Sequence, residues 1–145
     1  MTRHGSELSI VVATSGCFDV LTEGHVRLLE EAKALGTRLV VFVNTDEYVR
    51  RTKGEGRPVN PLRARMAVLK ALRCVDDVLP FSEQTPCEAL EILRPDIFAK
   101  GAEYASQQIA EEPVMAALGG RVVYIPMVLG VSTTGTLERM ANAQN

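Results

Sequence analysis

The sequence predicts an α/β fold, a Rossmann-like, doubly wound and mostly parallel sheet of about five strands built as one domain. Three observations carry that expectation. Short apolar, β-branched runs recur along the chain, stretches of helical periodicity separate them, and no repeat, low-complexity tract or linker interrupts the alternation. A βαβα order with strands that are apolar throughout is the pattern of a sheet covered on both faces.

The strand runs are Ser9–Thr14, Arg38–Asn44, Val75–Pro80, Asp96–Lys100 and Arg121–Pro126. Thr22 is placed to cap a first helix whose apolar face is Val26, Leu28, Leu29, Ala32 and Leu35, with Gly36 as the glycine that ends it. A second helix is predicted from Asn60-Pro61, an N-cap followed by proline at the first helical position, with Leu62, Met66, Leu69 and Leu72 facing inward. Later helices are expected at Pro86–Leu93, around Ile109–Leu118, and from Thr133 to about Ala141.

The 145 residues are 46% hydrophobic and 23% charged, ordinary for a soluble domain with one core. No run approaches the ~20 apolar residues of a membrane span, and Met1–Glu7 has no apolar core of a secretory signal. The net charge of −2 argues against a general nucleic-acid binder. Cys17, Cys74 and Cys87 lack C-x-x-C spacing, which fits a reducing, cytoplasmic setting and neither a zinc site nor a disulfide framework.

Ser15–Leu28, S-G-C-F-D-V-L-T-E-G-H-V-R-L, is where the first strand breaks and a helix begins. Gly16 leaves room for a ligand to approach the backbone, and the free N–H groups of the new helix favour an anion. A capping box would place Glu or Gln three residues after Thr22, yet His25 stands there. The pattern suggests a phosphate site with an imidazole aimed at it. The alternative is a plain N-cap at Thr22 and a half-buried surface histidine.

In open α/β sheets ligands bind beyond the carboxyl ends of the strands. That rule selects five loops: Ser15–His25, Thr45–Asn60, Phe81–Pro86, Gly101–Ser106 and Met127–Thr134. The second holds R-R-T-K-G-E-G-R-P, the densest positive cluster, where Lys53 and Arg57 are candidate phosphate clamps and a solvated basic loop is the alternative. The fifth reads G-V-S-T-T, offering the hydroxyls of Ser132, Thr133 and Thr134 at a helix start, either a second phosphate cradle or simple capping.

The string G-C-F-D-V-L-T-E-G-H resembles the nucleotidylyltransferase signature G-x-F-D-x-x-H-x-G-H, with Thr22 in place of its first histidine. Phosphopantetheine adenylyltransferases also carry Thr there. Further stretches, K-G-E-G-R-P-V-N-P, R-M-A-V-L-K-A-L-R-C-V-D-D-V, F-S-E-Q-T-P, R-P-D-I-F-A-K-G-A-E-Y and G-V-S-T-T, resemble the heptose-phosphate adenylyltransferase domain of ADP-heptose synthesis. That domain is often fused to a sugar kinase; no kinase is present in this sequence, so the free-standing form is expected. The glycerol-3-phosphate cytidylyltransferases are similar but carry R-T-x-G-x-S-T-T late in the chain, where this sequence has Met127 at the arginine position.

The resemblance implies transfer of AMP from ATP (CTP in the cytidylyl alternative) to a sugar phosphate of heptose 1-phosphate type, with release of pyrophosphate. It implies catalytic roles for His25, Lys53 and, more weakly, Thr22. It implies nucleotide contacts from Gly16, Cys17, Phe18, Gly24, His25, Gly130, Ser132, Thr133 and Thr134. Asp19, Lys53, Arg57, Arg65 and Lys100 are the implied acceptor contacts, with loop-holding as the other reading of Asp19 and a subunit interface as the other reading of Arg65. Mg²⁺ is expected to arrive with the nucleotide, since it keeps several waters and needs few protein ligands, and a homodimer is expected. A rival class is a nucleotide-binding regulatory module in which Thr22 marks lost catalysis.

Overall fold

The computed structural model describes residues 8–126 and 133–143. Within them five strands, β1 (Val11–Gly16), β2 (Arg38–Asn44), β3 (Asp77–Phe81), β4 (Ile97–Gly101) and β5 (Arg121–Ile125), pair in the order β3-β2-β1-β4-β5. Every pairing is parallel. The helices are α1 (Glu23–Ala34), α2 (Asp46–Lys53), α3 (Leu62–Lys70), α4 (Cys87–Leu93), α5 (Glu111–Ala117) and α6 (Thr133–Ala143). None of the described helices is long and apolar enough to cross a membrane.

Strand alternation sorts the core into two layers. Val12, Leu39, Val41, Val43 and Ile97 face α1 and α3, meeting Leu29 and Ala32 of the first and Leu69 of the second. Ala13, Val40, Phe42 and Phe98 face the other way, against Leu90 of α4 and Met115 of α5. Each fully buried side chain of this size contributes about 1.5–3 kcal/mol relative to exposure. Of the expected apolar faces, Leu28, Leu29, Ala32 and Leu35 and Leu62, Met66, Leu69 and Leu72 join the first layer, with Leu28, Leu35, Leu62, Met66 and Leu72 at its margin. Val26 is not among the residues that pack in it.

Strand order reverses between β1 and β4, and there the sheet opens. Those two strands share only the pairs Val12↔Ile97 and Ala13↔Phe98, whereas β1 and β2 stay paired out to Gly16↔Val43. Past Ala13 the buried Thr14 hydroxyl donates to the Ala99 carbonyl at 2.8 Å, a side chain replacing the backbone ladder. The strand ends diverge beyond it, which makes the crevice that the topology rule anticipates.

Four expectations need correction. The third strand begins at Asp77, because Val75 closes the turn after α3 and Asp76 bridges to Leu39 through its own N–H (3.0 Å) and its carboxylate (2.7 Å). Thr45–Asn60 is not all loop: Thr45 precedes the eight-residue α2, acidic in its first turn and basic in its last. Pro61 rather than Asn60 stands at the N-cap of α3, and the Leu62 N–H is satisfied from elsewhere, by Asp46 at 2.8 Å. Gly36 does follow α1, but it is not left-handed. A Cβ there would lie 2.6 Å from the Ile10 carbonyl oxygen and 2.8 Å from Val12 Cγ2, so glycine is required for space.

Candidate active site

A cleft of about 580 Å³ lies at the carboxyl ends of the strands. Its floor is Thr14, Ser15, Gly16 and Cys17 from β1 and the turn after it, with Asn44, Phe81, Lys100 and Gly101 from the neighbouring strand ends. Tyr48, Thr52 and Lys53 of α2 form one wall, and Glu111 of α5 stands in another. That volume is within the ~300–1,000 Å³ typical of small-molecule sites.

Two buried charged groups fix the loops around it. The Arg65 side chain, wholly inaccessible, donates from Nη1 to the carbonyls of Cys17 (2.8 Å) and Asn44 (2.9 Å). Its Nε donates to the Asn60 carbonyl at 2.9 Å, and Nη2 to the Asp46 carboxylate at 2.6 Å. One guanidinium thus ties the turn after β1, the end of β2, the start of α2 and the entry to α3. The Asp19 carboxylate, also inaccessible, takes N–H bonds from Val59 (2.7 Å) and Asn60 (2.8 Å) and from Arg57 Nε (3.0 Å). Burial pushes its carboxyl up, but these donors outweigh burial and hold it below its ordinary value.

The turn itself is held by Phe18, which has φ 49° and is buried. Its ring lies against Gly16, where a Cβ would be 2.9 Å from ring carbon Cε2, and meets His25 edge-on with centroids 5.6 Å apart. His25 in turn accepts the Thr22 backbone N–H at Nδ1, 3.1 Å away, with the Thr22 hydroxyl 3.2 Å from the same nitrogen. The imidazole does the work of the glutamate in a capping box. An Nδ1 that accepts leaves the ring neutral with its proton on Nε2. Desolvation first, and the charge of Lys53 second, lower the pKa of His25 and favour that same state.

A family model described as cytidylyltransferase-like matches residues 13–137. The chain belongs to the cytidylyltransferase-like family. Curated relatives named bifunctional protein HldE are 49% identical over 97% of the chain in Alkalilimnicola ehrlichii and 52% identical over 91% in Shewanella piezotolerans. The chain spans 29% and 28% of those two proteins. Among solved structures, a lipopolysaccharide core biosynthesis protein of Thermoplasma volcanium superposes with TM-score 0.67 at 28% identity, covering 83% of this chain and 97% of that one. A pantoate-beta-alanine ligase of Francisella tularensis, at 12% identity and TM-score 0.54, shares the fold.

On this cytidylyltransferase-like frame the residues singled out from sequence separate. Gly16, Cys17, Lys53 and Lys100 line the cleft, while Thr22, His25, Asp19, Arg57 and Arg65 do not form its walls. Asp19, Arg57 and Arg65, expected to touch the acceptor, are instead locked into the loops by the bonds described. Phe18, expected at the nucleotide, is a buried support for Gly16 and His25, and Gly24 is buried in the first turn of α1. Burial raises the Cys17 thiol pKa despite Arg65 beside it, which suits a neutral, loop-filling residue. Lys53 is the last residue of α2, where a cation suits the helix dipole. Thr134 is exposed in the first turn of α6; Met127, Gly130, Ser132 and the Thr133 side chain lie outside the described residues.

Sequence reasoning missed Asp46, Tyr48 and Glu111. The first two sit on α2, whose start was readable in Thr45-Asp46-Glu47, a cap residue followed by two acids. Glu111 carried no signal, because its burial depends on how α5 meets β4 and β5.

Replacing Asp19 by Asn is expected to cost about 1–3 kcal/mol at pH 7, since an amide must turn a donor toward groups that are donors themselves. Because the folded-state pKa is depressed, the wild-type advantage is full above the unfolded carboxylate value of about 3.9 and is lost as pH falls through the folded one. Urea unfolding of both proteins from pH 7 to pH 2 checks this; an advantage that does not shrink in acid contradicts it.

Proposed function

We propose that the chain is a nucleotidyltransferase that moves AMP from ATP to a sugar phosphate of heptose 1-phosphate type and releases pyrophosphate. The observation that carries this reading is His25 in the first turn of α1, its ring fixed by Thr22 and Phe18 with Nε2–H as its donor, at the open end of the sheet where Lys53 adds positive charge. The HldE relatives at about half identity support it, as do the stretches that resemble heptose-phosphate adenylyltransferases.

The chemistry is one in-line displacement. An oxygen of the sugar phosphate bonds to the α-phosphorus while the bond to the β-phosphate's bridging oxygen breaks. The protein contributes position and charge neutralisation, with no covalent intermediate. His25 Nε2–H donates where charge grows on the α-phosphate and the bridging oxygen. The neutral ring is a weaker donor than an imidazolium but costs less to desolvate. Thr22 acts through His25, as its positioning residue. Lys53 binds phosphate at the mouth of the cleft.

Mg²⁺ belongs to this reading as a companion of the triphosphate, where it would neutralise the leaving pyrophosphate. Among the described residues no group of three or more His, Cys, Asp or Glu side chains gathers as a metal cage, and the fit is to an ion held chiefly by phosphate and water. A homodimer and a cytoplasmic setting belong to the same reading, supported by the family resemblance and by three free cysteines.

Pyrophosphate release with ATP or CTP, against heptose 1-phosphate and glycerol 3-phosphate, tests the whole assignment. The expected donor is ATP, because Met127 replaces the arginine of the cytidylyl motif. A kcat/KM with CTP ten times that with ATP reverses the choice of nucleotide.

His25→Ala should lower single-turnover rate by about 10²–10³, the scale of losing one preorganised donor to developing charge. Thermal melts run in parallel should show the variant folded. Retention of more than about a third of the wild-type rate, far above that range, makes His25 a capping residue only.

A further inference from the structure

Glu111 is a charged residue that neither the core nor the loop locks explain. It is only 4% exposed, yet it lines the cleft. Its carboxylate pairs with Lys100 Nζ at 3.6 Å, an ion pair longer than a direct hydrogen bond. Lys100 itself is held over the Tyr104 ring, 4.5 Å from its centroid. A carboxylate has about four acceptor positions, so beside Lys100 this one keeps capacity for donors on whatever occupies the cleft it lines.

The surrounding wall has matching chemistry. Gln84 and Thr85 come from the loop between β3 and α4, and Gln107 and Gln108 from the segment before α5. All four are uncharged and both donate and accept. Glu111 offsets the Lys100 charge beside it, so this side of the cleft offers no surplus positive charge to a phosphate and suits hydroxyl groups. The phosphate-favouring side lies elsewhere. Lys53 follows β2 while α5 packs on β4 and β5, and β2 and β4 flank β1 at two strand spacings, roughly 10 Å apart. Both groups line the one cleft, so a sugar phosphate bound there can turn its phosphate toward α2 and its hydroxyls toward α5.

We infer that Glu111 determines specificity for the acceptor, its carboxylate taking hydrogen bonds from hydroxyls at the end of the sugar remote from the phosphate, with Lys100 as its positioning partner. The inference rests on the transfer reading above and adds to it a means of telling a heptose from a hexose. The extra hydroxylated carbon supplies a donor, and a site built to receive one rejects the analogue that lacks it.

The test compares heptose 1-phosphate with mannose 1-phosphate as acceptors for wild type, Glu111→Gln and Thr85→Val, using pyrophosphate release. Wild type should prefer the heptose at least about 10-fold in kcat/KM, and Glu111→Gln should lose about 10- to 100-fold with the heptose, the scale of a hydrogen bond to a charged group. The sugar preference should collapse, while KM for ATP stays within about twofold, well short of that loss. Thr85→Val, a milder change in the same wall, should lower heptose kcat/KM about 2- to 10-fold and carries the test if Glu111→Gln does not fold. A variant that keeps the wild-type sugar preference overturns the inference, and so does one that raises KM for ATP instead, which would place the nucleotide ribose against Glu111. Wild-type protein that turns over neither sugar phosphate overturns the transfer reading itself, and this inference with it.

Discussion

The guanidinium of Arg65 is the interaction on which the site depends. It donates to three backbone carbonyls and one carboxylate drawn from four separate stretches of chain. Losing this donor costs about 1–3 kcal/mol for each carbonyl that then finds no other. No other side chain fits: arginine presents its donors in a rigid planar fork, and its charge persists when buried. The Asp46 carboxylate that balances it also receives the first N–H of α3, so the cation, the start of α2 and the start of α3 are assembled as one unit.

Asp19 completes the frame from the opposite sign. It draws residues 57–60 onto the turn after β1, beside the Arg65 bond to the Cys17 carbonyl. The consequence is felt one step away, at Phe18 and His25. With Cys17 and Asp19 both anchored, Phe18 is held left-handed between them, and its ring supports the imidazole from the side while Thr22 supports it from below. A donor that must meet charge as it develops gains from this rigidity, because no reorganisation is left for the reacting step.

The fold was legible because burial on both faces writes long apolar runs into β2 and β4, and because α1 and α3 carry clear amphipathic stripes. The site was legible only in part. His25 and Lys53 stood out by chemistry and by their place at strand ends. Asp19, Arg57 and Arg65 stood out equally as charges, but sequence does not say whether a charge meets a ligand or a carbonyl of its own chain. Gly16 and Gly36 show the same limit: both are required by contacts with Phe18 and Ile10 that arise only after folding. Glu111 was invisible, since an acid at a helix start is ordinary until the neighbouring strands bury it. The α2 helix was hidden by its own glycines, Gly54 and Gly56, which made the stretch read as loop although they only follow the helix.

The claim that Arg65 organises catalysis without touching substrate is tested most directly by Arg65→Lys. Lysine keeps the charge but cannot reach all four acceptors with three donors in a different geometry. Single-turnover pyrophosphate release from ATP and heptose 1-phosphate should be measured beside a thermal melt, at a temperature where the variant is folded. The account predicts a folded protein with a lowered melting point whose transfer rate falls at least tenfold while the pH dependence of what remains is unchanged. A wild-type rate in a variant with that lowered melting point would contradict it, showing that the loops need no lock to present His25.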